Sequence, residues 1–147
     1  MSPETLFSIV SAAVVPGWLL LVVAPRAWIT KRTILSGLYP LVFAAVYLVL
    51  IAVFYPGAAG GFGSLADVDQ LFRNPYLLLA GWIHYLAFDL FVGAWEVRDA
   101  AGRGIPHLAL VPCLVLTFLF GPIGLLAYHG VRALVARRQG APPRADG

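Results

Sequence analysis

Two ionisable residues, His84 and Asp89, lie inside an apolar run in which charges are otherwise scarce. The run reads YLLLAGWIHYLAFDLFVGAWEVRD over residues 76–99. Read as a membrane helix, it places both residues close to the bilayer midplane, where an Asp costs roughly 2.5–3.5 kcal/mol on insertion scales. A cost of that size points to a function, with Asp89 facing the interior of a helix bundle. At about 100° per residue, Trp82, Tyr85, Asp89, Gly93 and Glu96 share one helix face, and His84, Phe88, Phe91 and Trp95 share another. His84 and Asp89 point about 140° apart and stand about 7.5 Å apart along the axis, so one straight helix cannot bring both to one metal ion. The spacing is also not that of an H-E-x-x-H zinc site, and no metal or other cofactor is expected. Two walls of an elongated pocket fit better, with Asp89 and His84 as catalytic candidates and Trp82, Tyr85, Phe88 and Trp95 as binding candidates. The structural alternative is that polar groups glue the helices together. His84 would then bond a carbonyl or Thr117, and Asp89 would bond Tyr39 or Tyr47. Glu96, Arg98 and Asp99 read as a solvated ion-pair cluster at the membrane boundary.

The composition demands such a bundle. Of 147 residues, 61% are hydrophobic and only 12% charged, and the mean hydropathy is +0.86. That is about half the charge of an ordinary soluble domain, which argues against a soluble enzyme, a disordered chain or a disulfide scaffold. The lone Cys113 has no internal partner. A pI near 9.4 comes from basic residues in short loops and the tail, as expected of membrane flanks rather than of a nucleic-acid surface. Four runs are long enough to span, at about 5–24, 34–55, 76–95 and 108–128. The expected fold is an all-α integral membrane protein, a single four-transmembrane-helix bundle over residues 1–130 with a polar, disordered tail at 131–147. Ser2-Pro3-Glu4 and Asn74-Pro75 carry helix-start chemistry. The first run lacks a basic leader region and so is read as retained.

Between runs two and three, Pro56–Asn74 opens Gly-rich and closes as SLADVDQLFRN. Ser64 with Asp67 resembles a capping box, and Leu65, Val68, Leu71 and Phe72 fall on one stripe, which predicts a short interfacial helix. A lid over a site between the helices is the rival reading. The Gly run is no phosphate loop, since it lacks G-K-[ST] and follows no strand. With four crossings, Arg26, Lys31, Arg32, Arg98 and Arg103 on one face balance Arg73, Arg132, Arg137, Arg138 and Arg144 on the other, so the positive-inside count ties. The first loop then tips the expectation to both termini outside the cytoplasm. In the fourth run, Pro122 removes one backbone hydrogen bond within Gly121-Pro122-Ile123-Gly124, which predicts a kink. Matching runs three and four as an antiparallel hairpin sets Tyr76 near His129 and His84 near Phe120 or Gly121. Gly121 and Pro122 therefore join the binding candidates. His107 and His129 mark opposite ends of the run and read as interfacial.

The stretches W-I-H-Y-L-A-F-D-L-F-V-G-A-W, Asp99 and L-T-F-L-F-G-P-I-G-L-L resemble the abscisic-acid-deficient-four-like family. Plant members are chloroplast membrane proteins needed to make neoxanthin, an allenic carotenoid, from violaxanthin. The resemblance implies a carotenoid-like or other lipophilic ligand. Opening an epoxide to an allenic alcohol needs an acid at the epoxide oxygen and a base to remove a proton, with no redox change. Asp89 would be the acid and His84 the base of such an isomerase. The alternative is a non-catalytic pigment- or lipid-binding or assembly subunit. A transporter is disfavoured by four helices without an inverted repeat, and haem by the lack of a second His at the depth of His84. Lacking an obvious plastid transit segment, the chain reads as a bacterial inner-membrane protein. The expected partners are membrane lipid, a second copy or a larger membrane complex, and no nucleic acid.

Overall fold

The computed structural model describes residues 1–140, with side chains through 138, and every regular element among them is helical. The first helix, α1 (Pro3–Val23), starts as its sequence requires: Thr5 N donates to the Ser2 hydroxyl at 3.2 Å, and Pro3 and Glu4 occupy the first turn. Its buried stripe Val10, Val14, Gly17, Trp18 and Leu21 repeats at helical spacing. The chain then turns through α2 (Trp28–Thr30) and a π-helical turn, Lys31–Leu35, into α3 (Leu38–Phe54). The Thr30 hydroxyl holds the α1 terminus by donating to Ala24 O at 2.7 Å.

After the Gly-rich loop comes α4 (Leu65–Phe72), capped as read from the sequence. Asp67 N donates to Ser64 Oγ at 3.1 Å, and Ser64 Oγ donates to Asp67 Oδ2 at 2.8 Å. The long helix α5 (Pro75–Gly102) is the axis of the molecule and packs against α1, α3, α4, α6 (His107–Phe120) and α7 (Pro122–Gly140). Among the described residues three stretches are long and apolar enough to cross a membrane: Pro3–Val23, Trp28–Phe54 and Pro75–Gly102.

The fourth run does not form one spanning helix. It breaks at Gly121, whose φ is +39°, and α7 doubles back along α6. Trp95 of α5 packs against Tyr128 and His129 of α7, with ring centroids 5.4 and 5.8 Å apart. Tyr128 donates to Asp99 at 2.6 Å, and Arg132 lies 3.6 Å from the same carboxylate. The expected register, with Tyr76 beside His129, is therefore reversed. The α6–α7 pair enters from the Gly102 end of α5, reaches the level of Asp89, and returns. Physically, a Gly with positive φ followed by a proline at a helix start makes a reversal, not merely a kink.

The expected tail boundary also shifts. Val131 and Val135, four apart, pack against the core, and α7 continues to Gly140. The rest of the expected tail, 141–147, lies outside the described residues. The N-terminal end of α1 sits at the Pro75 end, where Tyr76 donates to Met1 O. The C-terminal end of α7 points toward the Gly102 end. The two ends of the described chain therefore lie on opposite sides of the bundle, against the expectation of one shared side.

Candidate active site: two interior carboxylates and an apolar cavity

Tyr85, Asp89 and Glu96 lie on one stripe of α5, as their spacing predicts, and the stripe faces the α6–α7 reversal. Asp89 is 8% exposed and Glu96 is 0% exposed. The absence of a side chain at Gly121 makes room for Asp89: a Cβ there would sit 2.7 Å from Asp89 Oδ1. The carboxylate thus rests at the amino end of α7, where helix N–H groups favour negative charge. Tyr85 is half-buried beside Asp89, and its hydroxyl donates to Phe118 O at 3.3 Å. Phe118 is in the last turn of α6, where carbonyls lose their helical partners. Gly121 and Gly124 are buried against α5 and α6, whereas Phe120 and Ile123, 55% and 54% exposed, turn apolar side chains outward from the reversal.

Beside Phe118 in the same last turn of α6, Thr117 donates to Glu96 Oε1 at 3.0 Å, in full burial. Glu96 Oε2 and Asp89 Oδ2 are buried without a hydrogen-bond partner. Gly124 of α7 presses against the backbone and hydroxyl of Thr117, which closes the hairpin tightly. Glu96 therefore does not belong to a solvated boundary cluster. That cluster consists of Asp99 with Arg103, at 2.7 Å, and Tyr128 and Arg132 from α7. Arg98 turns elsewhere, donating to Leu35 O at 2.5 Å.

His84 goes to the other side. Its ring packs against Tyr47 of α3 and Phe88 of α5, at 5.6 and 4.6 Å, and does not meet the reversal or Thr117. Neither tyrosine offered for Asp89 bonds it: Tyr39 donates to Ala13 O at 2.5 Å, and Tyr47 sits with His84. His107 bonds Val22 O at 2.8 Å, tying α6 to α1.

A cavity of about 940 Å³ opens toward the Pro75 end of α5. Phe7 and Ser8 of α1, Tyr47 and Ile51 of α3, Leu71 and Phe72 of α4, and Trp82, His84 and Tyr85 of α5 line it. Its size falls at the upper end of ligand pockets, which run from about 300 to 1,000 Å³. Leu71 is buried and Leu65 is 85% exposed, so α4 turns its last residues, not its whole expected stripe, to the cavity. The end of α4 thus forms part of the cavity wall.

The sequence-predicted residues therefore divide. Trp82, His84 and Tyr85 line the cavity; Asp89, Gly121 and Pro122 form the reversal behind it. Phe88 is 58% exposed on the outer face, and Trp95 packs on α7 near the Gly102 end, away from the cavity. Tyr85 belongs to both groups, one side on the cavity and its hydroxyl beside Asp89. The sequence reading missed Glu96 with Thr117, although Glu96 follows Asp89 by seven residues on the same face.

Residues 5–128 match the family model described as ABA DEFICIENT 4-like. The chain belongs to that family. "Protein ABA DEFICIENT 4, chloroplastic" of Arabidopsis thaliana is 25% identical over 140 residues, covering 90% of this chain and 62% of that protein. The chain thus spans less than two thirds of the length of this relative. No solved structure matches the chain. In this ABA DEFICIENT 4-like chain, the two stretches that carry the family resemblance, Trp82–Asp99 and Leu116–Leu126, meet at the reversal.

Proposed function

We propose that the chain is a membrane-embedded protein of carotenoid or similar polyene-lipid metabolism, with an isomerase-type acid–base site. The observation that carries this reading is the shared position of Tyr85, on the wall of an apolar cavity and beside the buried Asp89 carboxyl. The family's tie to neoxanthin formation in plants supplies the substrate class. A polyene lies in the cavity under α4. The Tyr85 hydroxyl meets the polar end of the ligand, and protonated Asp89 behind it supplies the proton to an epoxide-type oxygen. The amino end of α7 then stabilises the Asp89 anion. His84, which also lines the cavity from α5, takes the proton that leaves the carbon skeleton. Because His84 and Asp89 do not converge, the two transfers act at separate points along a long ligand.

The test is pigment analysis of a carotenoid-accumulating bacterial host expressing the chain. A new pigment in the extract is expected. Asp89→Asn lowers its formation by about 10²–10⁴-fold, the range for losing a general acid, while the pigment retained on the purified protein is unchanged. Full conversion in both Asp89→Asn and His84→Ala would sink the acid–base reading. The second reading, a non-catalytic binding subunit, is favoured by the separation of Asp89 from the cavity wall. It predicts bound, unconverted pigment that is lost in Trp82→Ala and retained in Asp89→Asn.

The membrane arrangement we propose has three crossings and a re-entrant α6–α7 hairpin in a bacterial inner membrane. Arg26, Lys31, Arg32, Arg98, Arg103, Arg132, Arg137 and Arg138 gather toward the Gly102 end, against Arg73 at the Pro75 end. The tie of the four-span count disappears, and the Gly102 end faces the cytoplasm.

A further inference from the structure

Glu96 has no place in the acid–base scheme above, yet it is the most deeply buried ionisable group of α5. An isolated buried carboxylate is strongly disfavoured, and such groups are paired or neutral. Among the described residues no cation pairs with Glu96 or Asp89. The groups facing Glu96 are Thr117 and Cys113 of α6 and, along α5, Asp89. None of them brings positive charge. Thr117 occupies Oε1 as a donor, which leaves Oε2, buried and without a partner, as the seat of a proton. The two carboxyl groups differ in what surrounds them. Asp89 rests at a helix amino end suited to its anion; Glu96 has a single hydroxyl donor.

We propose that Glu96 is a proton-holding residue that recharges Asp89, fed from the Gly102 end of the bundle. The inference rests on the acid role of Asp89 proposed above. The transfer balances as follows. Asp89 gives its proton to the ligand and becomes a carboxylate. Glu96 gives its Oε2 proton toward Asp89, through water across the roughly 10.5 Å that seven helical residues span, and becomes the carboxylate that Thr117 stabilises. A proton from the aqueous phase at the Gly102 end then restores Glu96, and His84 releases the proton it took from the ligand through the cavity that it lines, so that no net proton is consumed. Asp99, three residues further along α5 and held by Arg103, Tyr128 and Arg132, marks the entry.

The test is infrared spectroscopy of the purified full chain without ligand, at neutral pH, in light and heavy water. A protonated-carboxyl C=O band that shifts in heavy water is expected. It disappears in the isosteric Glu96→Gln and survives in Asp89→Asn. It moves to higher frequency in Thr117→Val, which keeps the side-chain shape and removes the donor. No band lost in Glu96→Gln, or a band indifferent to Thr117→Val, overturns the proposal. In the pigment assay, Glu96→Gln is expected to slow turnover at least about tenfold with pigment retention unchanged. Unchanged turnover overturns the recharging role even where the band is present. If the unaltered chain converts no pigment, the acid role of Asp89 fails, and recharging fails with it, whereas the infrared bands still decide whether Glu96 holds a proton.

Discussion

Placing valine at Gly121 or Gly124 is expected to cost the protein its folded hairpin. At Gly121 two penalties coincide. The backbone φ of +39° disfavours any side chain, and a β-branched residue in such a region costs of order 1–3 kcal/mol. The added Cβ also meets Asp89 Oδ1 at 2.7 Å and Oδ2 at 3.2 Å, and overpacking of this kind costs about 1–3 kcal/mol more. At Gly124 the obstacle is the Thr117 backbone itself, which cannot swing away as a flexible side chain would. Gly130 is the control. It is on the same α7 helix, and nothing lies near the position of its Cβ, so Gly130→Ala is expected to be neutral or stabilising by up to about 1 kcal/mol. The measurement is thermal unfolding in mild detergent followed by tryptophan fluorescence, since Trp18 packs on Phe118 of α6 at 5.4 Å and Trp95 on α7. Pairing Gly121→Ala with Asp89→Ala separates the penalties, because it relieves the clash and leaves the φ strain. Equal melting of Gly121→Val and Gly130→Ala would mean that the reversal at Gly121 is not what holds the tip against Asp89.

The reach of the sequence can be judged from particular residues. The helical starts at Ser2-Pro3 and Asn74-Pro75 and the Ser64–Asp67 cap were legible because capping is local chemistry, decided within four residues. The stripe holding Tyr85, Asp89 and Glu96 was legible because it follows from helical period alone. The direction of α7 was not, because hydropathy measures how apolar a run is and carries no sign for whether the chain proceeds or returns. Gly121-Pro122 is compatible with a kink or a reversal; the choice depends on Asp89 and Tyr85, distant in sequence, which receive the tip. A crossing helix put His84 level with Gly121 and split the basic residues evenly. The burial of Glu96 is hidden from the sequence for a related reason. Its nearness to Arg98 and Asp99 suggested water, whereas the doubled-back hairpin covers that stretch of α5 with protein.

The hairpin also decides where the chain ends, and this gives the second large effect. With three crossings, the N-terminal end of α1 and the C-terminal end of α7 face opposite compartments; with four crossings they share one. Ser2 is exposed at the start of α1, and Cys113, the chain's own thiol, is buried at 2% exposure inside the bundle. Two single-cysteine probes can therefore be read against a silent background: Ser2→Cys, and a cysteine appended after Gly147. In intact spheroplasts, a membrane-impermeant maleimide is expected to label Ser2→Cys fully. It should label the C-terminal cysteine only after lysis. The direction follows from charge, since eight basic residues toward the Gly102 end leave Arg73 as the sole described counterweight, and basic residues near membrane ends stay in the cytoplasm. Replacing Arg137 and Arg138 with glutamine should not invert the pattern, because six basic residues still gather at that end. Labelling of both cysteines from outside would restore a four-crossing chain, and with it a fourth helix that no longer returns its tip to Asp89. The proposed site depends on that return: without it the Asp89 carboxyl loses the amino end of α7, and Glu96 loses Thr117 and the protein that buries its unpartnered oxygen.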